Sequence, residues 1–260
     1  MKLTRISRTR GFTLLETVIA IGVLAVLLTG FMVVFTPAAE GIRKSINVQQ
    51  ADRMASALEQ ELVTLRKGEA KPPDIVTGFD KSFDWIYKSG TANTALMVYQ
   101  YRGEIAGGKR SIDDGTPKPV VDIKGKLPGK DYTVIPMVRR KGDGNFNDDL
   151  PAIEGPVYLV KCTQLVFGAL PSPATGNGLI AGTIGEIKNP KPKPTPDTVP
   201  PYAPGPFTKA ADYPEAVIAF SADFFQMPAK TKAYFDGTAF SSKFTTLKNP
   251  VFSRNLAVRR

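Results

Sequence analysis

A chain of 260 residues, 42% hydrophobic and 22% charged, holds one ordinary domain plus an extra segment, and this composition excludes both wholesale disorder and a polytopic membrane protein. The formal net charge is +10, but Lys2, Arg5, Arg8 and Arg10 sit at the N-terminus, Arg254, Arg259 and Arg260 at the C-terminus, and the rest is spread among acidic residues. No basic run is interleaved with aromatics, so nucleic acid is not expected as the main partner; with no histidine and one cysteine, Ser-His-Asp and Cys-His catalysis, the usual zinc sites and an intramolecular disulfide are all excluded.

Taken in chain order, the first element is a basic leader, residues 1–11, followed by the apolar run Phe12 to Phe35, in which Glu16 is the only formal charge. At about 1.5 Å per residue a helix over 12–36 crosses a hydrocarbon core of about 30 Å. Cationic residues before it and Glu40 beyond it predict an N-terminus on the cytoplasmic side and the remainder outside, periplasmic or extracellular. A carboxylate near the start of such a helix is costly and calls for a partner, which makes Glu16 the first candidate functional residue. Gly11-Phe12-Thr13-Leu14-Leu15-Glu16 resembles the processing motif of type IV prepilins and pseudopilins. The resemblance implies that a prepilin peptidase cuts between Gly11 and Phe12 and methylates the new amine at Phe12. It further implies that Glu16 neutralises that amine, between neighbouring subunits, during filament assembly. The other reading is an ordinary secretory signal cut near Ala38 or Ala39, which leaves the long apolar run and Glu16 unexplained.

Residues 37–68 keep a helical rhythm in a polar setting, with Ile42, Ile46, Met54, Leu58, Leu62 and Leu65 mostly three or four apart. They predict an amphipathic stem that continues the apolar helix across a bend at Pro37, reaches about Lys67 and ends at Gly68, Pro72 and Pro73. The stem, especially Gly41 to Leu65, is also similar to the pilin-like proteins called Verru_Chthon cassette proteins.

Beyond Pro73, short β-type runs separated by Gly, Pro, Asn and Asp predict a β-rich ectodomain over 69–189, completed by strands in 207–260. The strand candidates are Thr94–Arg102, Asp131–Arg139, Pro156–Phe167, Ala216–Phe225 and Val251–Val258. Trp85 reads as a core anchor and Cys162 as a buried packing residue. Eight of the seventeen residues in 190–206 are proline, which predicts an extended loop excluded from the sheet. The expected class is α+β, with the stem helix lying across an antiparallel sheet.

The stretch from Asp143 to Glu154 spaces oxygen-bearing side chains like a calcium loop of the EF-hand type, with Asp143, Asn145, Asn147 and Glu154 as candidate Ca2+ ligands. Asp148 stands where that loop places glycine, and a polar turn between strands explains the same residues. No other cofactor is expected. Together these features predict a structural subunit, not an enzyme: a minor pilin or pseudopilin of a type IV pilus, type II secretion pseudopilus or related filament. Its partners would be prepilin peptidase, other pilin or pseudopilin subunits, the assembly platform and inner-membrane lipid. The alternative is a membrane-anchored or secreted binding module with a calcium-stabilised β ectodomain.

Overall fold

The computed structural model describes residues 13–105, 107–108, 115–169, 177–191 and 203–260. They fall into two compact units divided between Asn47 and Val48. The first helix, α1, runs from Leu14 to Val63 with Pro37 inside it. Pro37 lacks the amide that would bond the carbonyl of Val33, yet the chain on both sides is helical. Within α1, Leu14–Ile42 forms a stretch of 29 residues long and apolar enough to cross a membrane, about 43 Å of helix. Its large apolar side chains from Leu14 to Phe35 are exposed.

The unit Val48–Arg260 is α+β. It contains the end of α1, then α2 (Gly78–Lys88), β1 (Leu96–Glu104), β2 (Tyr132–Arg140), α3 (Gly144–Asp149), β3 (Ile153–Ala169), β4 (Asn177–Ala181), β5 (Val217–Gln226), α4 (Lys232–Asp236), α5 (Thr238–Thr246) and β6 (Phe252–Arg259). The sheet order is β2-β1-β3-β5-β6, antiparallel throughout, with β4 paired to the end of β3. Pro136 lies in β2, an edge strand, where its missing amide costs no internal ladder bond. Gly155 has φ of 69° beside the register shift where β3 crosses β1, a conformation that glycine adopts without Cβ strain and that permits the bulge.

Successive strand residues point to opposite faces, and both faces of the central strands are buried. Leu96, Val98, Tyr158, Val160, Phe220 and Phe224 meet Met54, Leu58 and Leu62 of α1 and Phe79, Phe83 and Ile86 of α2 in one core. Met97, Tyr99, Val157, Leu159 and Phe225 meet Phe146, Phe235, Phe240 and Phe244 of the short helices in a second core. The sheet thus has helices on both sides, where the sequence pattern predicts only the stem on one.

The five strand candidates of the sequence lie within one to three residues of β1, β2, β3, β5 and β6 at each end. The 69–95 region departs from the expected β character, because α2 forms there. Thr77 and Asp80 make a reciprocal cap at its N-terminus, and Phe79, Phe83 and Ile86 give it one buried face. Trp85 is buried on this helix and Cys162 is buried in β3. The helix α1 ends at Val63, short of Lys67, because α2 packs onto its last turn. A Cβ on Gly78 would stand 2.3 Å from the Val63 carbonyl oxygen, so only glycine lets the two backbones meet this closely. Of the proline-rich stretch, residues 192–202 lie outside the described residues.

Candidate functional site

The head of α1 holds Glu16, the one carboxylate between Phe12 and Phe35. Gly11 and Phe12 lie outside the described residues; Thr13 and Glu16 do not. The Thr13 amide and hydroxyl both donate to Glu16 Oε2 at 3.1 Å, and the Glu16 amide donates back to Thr13 Oγ1 at 3.2 Å. This reciprocal pair is a capping box, which gives partners to amides that the first turn of a helix otherwise leaves orphaned. Thr17 returns its hydroxyl to the Leu14 carbonyl at 2.9 Å, and Thr29 to the Ala25 carbonyl at 2.9 Å, so these two hydroxyls are satisfied within the helix. The carboxylate also sits at the positive end of the helix dipole. The sequence pattern Thr-x-x-Glu before an apolar run announces this cap, and it assigns Thr13 a positioning role beside Glu16.

The arrangement has a definite chemical capacity. Glu16 presents an exposed carboxylate at the N-terminal end of an apolar helix, with one oxygen engaged by Thr13 and the other, Oε1, without a bond among the described residues. Such a group can accept hydrogen bonds from an ammonium brought to the same end of a helix, and in lipid or a helix bundle it needs one.

In the Val48–Arg260 unit the charged interior is organised around two buried cations. Lys81 Nζ lies 2.8 Å from Glu61 Oε1, 2.7 Å from Glu69 Oε2 and 2.7 Å from the Thr64 carbonyl, and 4.4 Å from the Trp85 ring centroid. Arg66 grips Glu61 with two hydrogen bonds at 2.9 and 2.6 Å, and this contact raises its pKa against the lowering effect of burial. Arg139 donates to Asp149 at 3.1 Å and to Thr116 at 2.9 Å, while the Tyr99 hydroxyl donates to Asp149 at 2.6 Å. A cleft of about 460 Å³ lies against these groups, lined by Lys67, Glu69, Lys81, Trp85, Arg139 and Asp143 among others. Its buried cations are matched by carboxylates in the wall, which marks the cluster as structural.

The four candidate calcium ligands are divided between α3 with its cap and β3. Asp143 caps α3, accepting the Asn145 amide at 3.0 Å, and faces Arg139 at 3.4 Å. Asn145 and Asn147 lie on α3, and the Asn147 Oδ1 is buried without a hydrogen-bond partner among the described residues. Glu154 is the second residue of β3 and is paired with Arg102. Among the described residues no group of three or more His, Cys, Asp or Glu side chains is placed to hold a metal ion.

Cys162 lies between Ser89 and the core: its amide donates to Ser89 Oγ at 3.0 Å, and burial pushes its thiol up to about 12. A thiol so held is no nucleophile at neutral pH.

Compared with known families, residues 6–32 match the prokaryotic N-terminal methylation motif. The chain therefore carries the prepilin-type head of type IV pilin-like precursors, and Glu16 falls inside the matched segment. No curated protein and no solved structure matches the chain.

Proposed function

We propose that this chain is a minor pilin or pseudopilin, a structural subunit that waits in the inner membrane and packs into a filament after processing. The observation that carries the reading is the coincidence of the methylation motif over residues 6–32 with an exposed apolar helix over Leu14–Ile42. Prepilin peptidase cuts between Gly11 and Phe12, and the methylated Phe12 amine becomes the positive partner that Glu16 needs. Apolar helices then pack laterally, and the amine–carboxylate pair supplies the polar register that apolar packing alone does not specify. The Thr13–Glu16 cap supports this role, because it holds the carboxylate at the end of the helix where the new amine is made.

The test is the mass and N-terminal sequence of the protein recovered from membranes of cells with and without prepilin peptidase. The expected mature form begins at methylated Phe12 and is lost without the peptidase. In the same cells Glu16→Gln, which keeps the shape and removes the charge, leaves the protein in the membrane and out of filaments. A mature N-terminus near Ala39, or an uncut Met1 in cells with the peptidase, overturns the reading.

A further inference from the structure

The segment joining β1 to β2 exposes aliphatic side chains in a pattern that the sheet does not use. Val121 is 53% exposed, Ile123 47% and Leu127 57%, whereas soluble surfaces usually scatter such residues singly. The segment is held in this form by its own hydrogen bonds. The Lys124 amide donates to Asp122 Oδ1 at 2.9 Å and the Leu127 amide to Asp131 Oδ2 at 2.7 Å. The Lys126 amide reaches the Ile123 carbonyl at 3.0 Å, and the Ile105 amide at the end of β1 reaches the Asp131 carbonyl at 3.1 Å. Both local acids thus have their carboxylates turned to backbone amides, while Lys124, Lys126 and Lys130 stay exposed between and beside the aliphatic residues.

We propose that residues 121–130 form a docking surface for an anionic lipid bilayer, with Val121, Ile123 and Leu127 entering the headgroup layer and the three lysines lying against lipid phosphates. Charge complementarity selects this occupant. Lysine is depleted in protein interfaces, whose anchors are aromatic residues and arginine, and this loop has neither in its exposed set. Lysines beside exposed aliphatics suit a surface of negative headgroups over hydrocarbon, each lysine strengthening the attraction about fivefold.

The experiment uses the full chain in lipid nanodiscs with an environment-sensitive dye on Leu127→Cys, and on Ile123→Cys as a second attachment point. Buried Cys162 stays unlabelled in the native protein, which the parent chain checks. Co-elution with the discs reads insertion of the apolar helix separately, so a failure there is distinct from a failure of the loop. In phosphatidylglycerol discs the dye is expected to shift to the blue and to be shielded from acrylamide. In phosphatidylcholine discs, in high salt, or after changing Lys124, Lys126 and Lys130 together to glutamine, it is expected to face water, the three changes weakening contact roughly a hundredfold. A dye that faces water in both kinds of disc overturns the proposal. So does a shift that follows the number of copies per disc regardless of lipid charge, which would make the occupant a second copy of the chain.

Discussion

Replacing Lys81 by methionine removes one ammonium and leaves three acceptors behind. Lys81 is 1% exposed, and its three donors go to Glu61, Glu69 and the Thr64 carbonyl at the end of α1. Methionine has nearly the same length and keeps the packing against Trp85, so the substitution tests charge more than volume. Glu69 is exposed enough to hydrate, but Glu61 Oε1 keeps only Arg66 Nε and the Thr64 carbonyl loses its partner. Removing one side of a buried ion pair costs about 3–5 kcal/mol. For a unit of this size that corresponds to a fall in melting temperature of about 6–20 °C. The assay is calorimetric melting of the full chain in detergent, beside Glu61→Gln and the double variant. Glu61→Gln removes the carboxylate that Lys81→Met leaves with Arg66 alone, so the double variant should melt higher than the sum of the single losses predicts, with a coupling of about 0.5–3 kcal/mol. A Lys81→Met protein melting within a degree or two of the parent, or strictly additive variants, would mean that Lys81 and Glu61 are not a coupled buried pair.

Gly78→Ala places a Cβ against the Val63 carbonyl and should destabilise by about 1–3 kcal/mol, read in the same melting assay; Gly144→Ala, where the Cβ meets nothing within 4 Å, serves as the control. Burial raises the Cys162 thiol from 9.0 to about 12 and the Tyr213 phenol from 10.0 to about 12. The folded state therefore keeps protons that the unfolded chain has lost, so stability is full below about pH 9 and falls as pH rises towards 12. Alkaline melting should show this fall, and Cys162→Ala should flatten its first part. Calcium at millimolar concentration should leave the melting temperature unchanged, because Asp143 and Glu154 already face Arg139 and Arg102. A rise of several degrees, lost with a chelator and in Asn147→Ala, would instead make the orphaned Asn147 oxygen a ligand.

The parts of the fold that were legible are those whose cause is local. The strands announce themselves because each is a run of β-branched and aromatic residues bounded by turn formers, and the sheet needs little more than that alternation. The helix α2 was equally readable from Thr77-x-x-Asp80 and from the spacing of Phe79, Phe83 and Ile86, but its Phe-Asp-Trp-Ile-Tyr sequence also suits a strand, and short apolar runs do not separate the two. The short helices α4 and α5 are harder still, since Gly237 divides them and their stability comes from Phe235, Phe240 and Phe244 filling the far face of the sheet.

The two ends of α1 show where that limit lies. A helix leaves unsatisfied amides at its start and unsatisfied carbonyls at its end, and something must serve both. At the start the partners are Thr13 and Glu16, three residues apart, so the cap is written in the sequence and so is the candidate site built on it. At the end the Leu62 carbonyl takes the Ser82 hydroxyl at 2.6 Å and the Thr64 carbonyl takes Lys81, partners supplied by another helix seventeen or twenty residues on. Reading the chain alone, Leu65 continues the apolar rhythm and the helix has no reason to stop at Val63. It stops there because α2 brings Gly78 against its last turn and Ser82 and Lys81 to its carbonyls. Lys81 in turn has to be an ammonium, because the same position must satisfy a helix end and two carboxylates at once. The buried charge is thus a consequence of how the helix is terminated, and no periodicity in the sequence encodes that meeting.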